Sequence, residues 1–423
     1  MAKIAVIGTG YVGLTTGACF AHLGHEVVCA DVDEEKVARL REGDVPILEA
    51  GLDQLVREGI DGGRLSFVVG AVNAAHDCEV AYLCVPTPQS DDGSADLSYI
   101  EAAAAEIGPV LPSEAVVVNK STVPVGSTRV VERALKRSDV AVVSNPEFLR
   151  EGSAVHDFLH PDRIVVGADD QSAAVRVSSL YLGVPAPVIV TDPASAETIK
   201  YAANAFLATK ISFINAVAAV CEAVGADIND VVLGMGYDTR IGHEFLRPGP
   251  GFGGSCFPKD TRAMVRIAED AGYDFGLLKG VITVNDEQFA RVADKVEAAA
   301  GGSVQGKRIA AWGLTFKART DDLRDSPALE VLARLGERGA DLRAFDPAVA
   351  RQLEGIEVVD DPYTAVEGAE VLVVLTEWDE FRWLDVDKVA ERMAARRVVD
   401  ARNLLDRATW QRRGFEYQGI GRG

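Results

Sequence analysis

Residues 3–31 constrain the fold more tightly than any other stretch of the chain. KIAVIG (3–8) is an apolar, β-rich run, and GTGYVG follows it directly, so Gly8, Gly10 and Gly13 stand in G-x-G-x-x-G spacing ahead of a helical pattern over 11–23. A second predicted strand, beginning EVVCAD, carries Asp31, which lies 21 residues after Gly10. In that order, the glycine turn lets the backbone reach a pyrophosphate at a helix N-terminus, and the acid accepts from adenosine ribose hydroxyls. Dinucleotide binding is the expectation. A carboxylate at 31 repels a 2′-phosphate, which favours NAD over NADP.

Further strands are expected at 79–85, 115–119, 140–144 and 163–167, alternating with helices at 33–42, 97–108 and 127–137. The economical arrangement is a parallel sheet wound with helices, whose ligands lie beyond the strand ends. There stand Pro86–Thr87–Pro88, then Lys120–Ser121–Thr122–Val123–Pro124, then NPEFLREG (145–152). Thr87 and Thr122 offer hydroxyls on loops stiffened by proline. Glu147 and Glu151 are four apart and share a face if their segment is helical. A solvated carboxylate pair is the plainer alternative.

The alanine-rich, periodic stretch 193–224 predicts one long helix. Such a helix between sheet domains commonly serves as a spine or subunit interface. Lys200 and Asn204 fall on one face of it, among Tyr201, Ala202, Ala203 and Phe206. A snorkelling lysine is the ordinary explanation; an ammonium beside an amide also suits a developing oxyanion. A short helix is expected within 227–244, followed by GMGYDTRIG with Arg240. Next comes GFGGSCFPKD, with glycines at 249, 251, 253 and 254 able to take left-handed dihedrals and close backbone approach. If Pro258 opens a helix, Cys256 sits just before it, where the positive helix end favours a thiolate. A glycine turn beside a buried cysteine is the bland alternative. Helices over 261–271 and near 286–299 complete the region.

Residues 301–423 repeat strand, loop, helix, strand, acid, with strands near 307–314, 341–345, 370–375 and 396–400. G-x-G-x-x-G is absent. Thr315, Phe316, Lys317 and Arg324 occupy the loop instead, so anion binding there depends on side chains. Arg402 follows a later strand end. The fold class expected is α/β: two Rossmann-like parallel-sheet domains, 1–192 and 301–423, joined by a long central helix and helical region over 193–300.

Charge and cysteine content narrow the function classes. With 43 basic against 64 acidic residues, the net charge of −21 argues against nucleic-acid and anionic-membrane partners. Six cysteines without a C-x-x-C pair read as reduced and cytoplasmic, mostly in the core. No run of 18 apolar residues occurs, and the N-terminus enters a strand at once, which leaves no room for a signal peptide. His156 and His160 read as a surface pair, and no metal is expected.

GTGYVG at 8, STVPVGS at 121, NPEFLREG at 145, KYAANAFLATKISFIN at 200, RIG at 240, GFGGSCFPKD at 251 and GLTFKARTDD at 313 follow one another through the chain. Together they resemble the UDP-glucose 6-dehydrogenase family, within the wider UDP-glucose/GDP-mannose dehydrogenases, over nearly the whole length. The resemblance implies an enzyme that oxidises a sugar C6 alcohol twice with two NAD, giving a carboxylate. It matches Cys256 to the nucleophile and Lys200, Asn204 and Asp260 to its catalytic partners, with Glu147 acting at the thioester and Thr122 positioning water. On the cofactor side it implies Gly8, Gly10, Tyr11, Val12, Gly13, Asp31 and Lys36. Pro86, Thr87, Ser121, Thr122, Glu151 and Arg324 belong to that side too.

On the sugar side the resemblance implies the run Glu147, Phe148, Leu149, Arg150 and Glu151, with Lys200 and Asn204. Phe245, Phe252, Gly253, Cys256 and Phe257 come from the glycine-rich segment, and Phe316, Lys317 and Arg402 from the last domain. Arg240 matches an arginine that reaches the partner subunit's nucleotide sugar, so a homo-oligomer, at least a dimer, is implied. Departures are modest: Ser127 stands where threonine is frequent, Ala318–Arg319 where proline often begins, and Ala216 where glutamate is frequent. Phe257 and NPEFLREG lean towards UDP-glucose as substrate. GDP-mannose or another nucleotide sugar remains the near alternative, and a non-catalytic NAD-sensing or scaffold protein the distant one.

Overall fold

The computed structural model describes residues 1–89 and 95–422. The chain divides into two compact units: Met1–Ala203 with Arg262–Ala271, and Asn204–Thr261 with Gly272–Gly423.

The first unit is built on eight strands, β1 (Lys3–Ile7), β2 (Glu26–Asp31), β3 (Leu65–Val69), β4 (Val80–Leu83), β5 (Val116–Asn119), β6 (Ala141–Ser144), β7 (Ile164–Gly167) and β8 (Val188–Thr191). Their order is β3-β2-β1-β4-β5-β6-β7-β8. The first six are parallel, and the sheet switches direction between β1 and β4. Helices cover both faces, so β4 and β5 are buried along their whole length. Alternation sorts the side chains: Ile4 and Val6 join Leu14, Phe20 and Tyr82 in one core, while Ala5 and Ile7 join Leu83, Ile100 and Ile107 in the other.

The wholly parallel sheet expected from the sequence needs one correction. β7 runs antiparallel to β6, and β8 is parallel to β7. Between β6 and β7 the only helix is Ala154–Leu159, six residues. That is too short to cross back over the sheet, so the chain returns in the opposite sense.

The second unit holds β9 (Arg308–Trp312), β10 (Asp341–Phe345), β11 (Glu357–Val358), β12 (Val371–Val374), β13 (Arg397–Asp400) and β14 (Glu416–Gly419). All are parallel, in the order β11-β10-β9-β12-β13-β14. Renumbered from its first strand, this is the order of the first unit's six parallel strands. Ile309 and Ala311 face one core, Ala310 and Trp312 the other. Trp312 is fully buried, stacked on Phe381, and its indole N–H donates to the Pro362 carbonyl at 3.0 Å.

The long helix spans Pro193–Val224 as the periodicity indicates. By length and composition it is apolar enough to cross a membrane, yet it also buries Glu197, Lys200, Asn204 and Asn215. Glu197 accepts from the amides of Gly126 and Thr128 at 2.6 and 3.0 Å, at the start of the helix Ser127–Leu135. The helix expected near 286–299 begins earlier, at Gly276. Burial of Leu278 and Val281 outweighs the poor helix propensity of Gly276 and Gly280.

Candidate active site

The turn after β1 is shaped by glycines with different tasks. Gly8 has φ +97°, and a Cβ there would lie 2.6 Å from the Cys84 carbonyl oxygen. A Cβ on Gly13 would lie 1.9 Å from the Gly8 carbonyl oxygen, so the helix Tyr11–His22 packs on the turn only without one. At Gly10 an added Cβ meets nothing within 4 Å. The protein itself has no need of glycine there; a pyrophosphate approaching the helix N-terminal amides does. Val12 packs on the sheet core behind.

Asp31 closes β2 beside this turn. Its Oδ2 accepts from the Thr9 amide (2.9 Å), the Thr9 hydroxyl (2.5 Å) and the Lys36 ammonium (2.8 Å). Burial by itself would raise the Asp31 pKa; the Lys36 and Thr9 hydrogen bonds outweigh it and hold the carboxyl down at about 2. Turn and acid are therefore one hydrogen-bonded unit that fits a dinucleotide.

Beyond β4 and β5, Pro86 is exposed, and the Thr87 hydroxyl donates to the Thr122 carbonyl at 2.9 Å. Ser121 donates to the Val85 carbonyl at 2.7 Å, so these two loops are laced together. After β6, residues 145–150 form no helix or strand, because Pro146 and side-chain bonds to the backbone occupy the segment. Glu147 and Glu151 consequently do not share a helix face. Glu147 and Lys200 are each 5 % exposed and pair at 2.9 Å, and Glu147 Oε2 accepts from the Leu149 amide at 2.5 Å. Two cations approach the Phe148 ring: the Arg163 guanidinium carbon lies 3.6 Å and the Lys200 nitrogen 5.4 Å from its centroid. Arg150 is bound to Asp157 through two side-chain bonds of 3.0 and 2.6 Å, and Glu151 is half-buried.

In the second unit, Cys256 immediately precedes the helix Phe257–Asp270, and its carbonyl accepts from the Asp260 amide at 2.8 Å. Five of the six cysteines are buried; Cys256 is partly exposed. The helix end stabilises negative charge at that position. Asp260 is fully buried and receives Asn204 Nδ2 at 2.6 Å and Lys259 Nζ at 2.8 Å. Carboxylate and amide are thus bound side to side one turn into the helix that Cys256 precedes, and Asn204 is one turn along its own helix from Lys200. Phe245, Phe252 and Phe257 pack as a trio, with ring centroids 6.0 and 6.2 Å from Phe257. Phe245 takes a left-handed φ of +64°.

The glycine-rich segment is fitted to the protein's own groups. Gly251 has φ +128° and would press Phe289; a Cβ on Gly253 would come within 2.0 Å of the Asp325 carbonyl oxygen; Gly254, φ +82°, faces the Phe316 ring. Side-chain amides hold the segment in place: Asn215 on Gly249 N (2.9 Å), Gln288 on Gly249 O (2.8 Å), and Asn285 on both polar atoms of the Phe252 backbone (2.7 and 3.1 Å). The sequence reading missed these amides. Their signal is amide side chains at the buried positions of two helices, where the periodicity calls for apolar ones.

Around β9, Gly313 has φ +96°, and buried Asp346 accepts from the amides of Leu314 (2.7 Å) and Thr315 (3.0 Å), repeating the Asp31 arrangement. Lys317 lies 5.3 Å from the Phe316 ring centroid. Arg402 is drawn in by the carbonyls of Leu375 (2.7 Å) and Phe316 (3.1 Å) and by Glu377. Arg324 and Arg240 are exposed and fork onto Asp322 and Asp238 respectively. Among the described residues, no group of three or more histidine, cysteine or acidic side chains is placed to hold a metal.

These features meet known proteins along the whole chain. Models of the UDP-glucose/GDP-mannose dehydrogenase family match residues 2–184 as the NAD binding domain, 194–287 as the central domain and 310–407 as the UDP binding domain. The UDP-glucose 6-dehydrogenase of Rhizobium meliloti (strain 1021) is 47% identical over 99% of each chain. TuaD, a UDP-glucose 6-dehydrogenase of Bacillus subtilis (strain 168), is 45% identical over 100% of this chain and 94% of its own. A UDP-glucose dehydrogenase structure from the hyperthermophilic archaeon Pyrobaculum islandicum superposes with a TM-score of 0.92 at 39% identity, covering 100% of this chain and 98% of that one. With its glycine turn and Asp31 shaped for NAD and all three family domains present in order, the chain belongs to the UDP-glucose/GDP-mannose dehydrogenase family and is an NAD-dependent oxidoreductase.

Proposed function

We propose that this protein oxidises UDP-glucose at C6 twice, giving UDP-glucuronate, and that Cys256 holds the sugar covalently between the two oxidations. The reading rests above all on Cys256: a partly exposed thiol at a helix N-terminus, one turn before a buried aspartate bound by Asn204 and Lys259. Residues 1–192 hold NAD through Gly8, Gly10, Gly13 and Asp31. Residues 301–423 hold the nucleoside diphosphate through Phe316, Lys317 and Arg402, and 193–300 supply the thiol and its partners.

NAD, held by the Gly8–Gly13 turn and Asp31, would supply the hydride acceptor for each of the two oxidations at C6. In the first, the hydroxyl proton passes through an ordered water to Asp260, while Lys200 and Asn204 stabilise the oxyanion. The Cys256 thiolate adds to the aldehyde carbon, and the oxygen takes up a proton to give a thiohemiacetal. Loss of that proton and of the second hydride leaves a thioester. Water, deprotonated with Glu147 and positioned by Thr122, attacks the thioester carbon; the C–S bond breaks, and carboxylate and thiol are released. Covalent capture explains why an alcohol-oxidising site carries a cysteine, since a free aldehyde escapes.

The long helix also supports assembly as at least a dimer. Phe206, Phe213 and Val220 recur every seven residues on one stripe and are 65, 51 and 60 % exposed. We place the reaction in the cytoplasm on the strength of the free cysteines.

The test is a panel of nucleotide sugars with NADH counted per sugar consumed. Two NADH per UDP-glucose, and little turnover of GDP-mannose, is the expected result. Cys256→Ser should bind the sugar nucleotide yet stop steady production of the acid. Undiminished uronate from that variant, or a clear preference for another sugar, would overturn the corresponding part.

A further inference from the structure

The loop 42–51 carries no recognised motif, yet it places one buried carboxylate at the meeting point of two functional segments. Glu49 is 6 % exposed. Its Oε2 accepts from the Tyr11 hydroxyl and from the Gly152 amide (2.7 Å), and its Oε1 accepts from the Ala154 amide (2.9 Å). The Tyr11 hydroxyl also accepts from the Gly152 amide at 2.8 Å and lies 3.3 Å from the Arg150 carbonyl. Tyr11 is the first residue of the helix that opens on the glycine turn. Gly152, at φ +80°, ends the segment that carries Glu147 and Glu151.

A buried carboxylate is costly unless its lone pairs are filled. Here two of its donors come from the 150–154 turn, more than a hundred residues along the chain, and one from the cofactor turn, 38 residues before it. Asp157 anchors the same turn from the other side, through the Arg150 amide at 2.9 Å and its guanidinium. Burial, followed by the Glu49 carboxylate, pushes the Tyr11 phenol well above its usual range, so the hydroxyl stays protonated and donating at every working pH.

We propose that Glu49 is a positioning residue that couples the glycine turn to the 147–152 segment, so that cofactor binding and sugar positioning depend on one shared carboxylate. Glu49 touches neither reactant; it acts through Tyr11 and through the Gly152 and Ala154 amides. The inference rests on the functional reading above, in which the first segment holds NAD and the second faces the sugar.

The test uses the full chain and three variants: Tyr11→Phe, Glu49→Gln and the pair combined. NADH affinity is read by fluorescence titration, KM for UDP-glucose by steady-state turnover, and integrity by the thermal midpoint. Glu49→Gln presents an amide N–H₂ to one of its backbone donors. It should loosen both NADH and UDP-glucose about tenfold, as misplacement by a fraction of an ångström does, with a midpoint close to wild type. Tyr11→Phe removes only the shared hydroxyl and should raise KM for UDP-glucose although it lies on the cofactor turn. The double variant should bind NADH no more weakly than the weaker single one.

A folded Glu49→Gln with both constants unchanged would overturn the coupling, as would purely additive losses in the pair. If Glu49→Gln fails to fold, Tyr11→Phe decides: a change confined to NADH affinity sinks the proposal. Wild-type protein that leaves UDP-glucose untouched would instead sink the substrate reading, and NADH titration of the same variants still tests the cofactor half.

Discussion

At Asp31 a single carboxylate serves folding and cofactor choice together. Its pKa lies at about 2, below the ordinary 3.8, because the Lys36 and Thr9 bonds outweigh burial. A depressed folded pKa stabilises the protein above the unfolded value, and the contribution disappears as pH falls through the folded one. From the shift, the charge is worth about 2 kcal/mol at neutral pH. Asp31→Asn should therefore lower stability by a nearly constant amount above pH 5, with the gap closing between about pH 4 and 2; denaturant melts across that range read it. Asp31→Ala should also weaken NAD roughly ten- to hundredfold, the cost of losing charged hydrogen bonds, while the sugar nucleotide binds nearly as before. Equal weakening of both ligands in paired titrations would show that the residue acts only through the fold. Residue identity made this position legible, since spacing from the glycines is fixed by the strand–helix–strand geometry. Glu49 had no such marker: its partners are a hydroxyl and two amides distant in sequence, and nothing in EAGLDQ announces them.

Among the elements, the segment Gly249–Gly254 shows where sequence logic needed the structure. Its glycines permit close approach of backbone to a ligand, and two do take left-handed dihedrals. The close approaches seen are to Phe289, the Asp325 carbonyl and Phe316, all within the second unit. At Gly10, by contrast, the space beside the glycine is open. The same G-x-G pattern therefore serves ligand access in one place and internal packing in the other, a difference set by neighbours remote in sequence. Asn285 tests the packing half. Asn285→Ala strips the Phe252 N–H and C=O of their buried partner and should cost about 3 kcal/mol, read as a lower denaturant midpoint. Asn285→Asp still accepts from the N–H and should lose less. If both are silent, the amide does not hold the segment. Strand edges were the other weak point: β8 exposes Val188, Ile189 and Val190, and β11 has two residues, so neither alternates as a half-buried strand does.

For the whole molecule, the six parallel strands that the two sheets share in order explain how one chain came to look like a repeat with unequal turns. Gly8, Thr9 and Asp31 in the first correspond to Gly313, Thr315 and Asp346 in the second, down to hydroxyl and amide donors converging on one carboxylate oxygen. The second lacks a short glycine turn because residues 314–326 intervene before the helix Pro327–Glu337, and side chains such as Lys317 and Arg402 take over anion recognition there under the proposed function. What one chain leaves open is the stripe Phe206–Phe213–Val220, apolar and spaced to pack against a like helix. Phe213→Glu puts a charge in the middle of that stripe and should convert a dimer or larger assembly to monomer in sedimentation, with little loss of fold, since the residue is already half exposed. Arg240 makes the experiment sharper. It is exposed and, among the described residues, forks onto Asp238; under the proposed function it reaches the sugar bound by a second copy. Arg240→Ala should weaken UDP-glucose binding in the assembled protein and change nothing further in the Phe213→Glu background. A wild-type protein that sediments as a monomer at working concentration, or an equal Arg240 effect in both backgrounds, would remove the partner subunit from the mechanism.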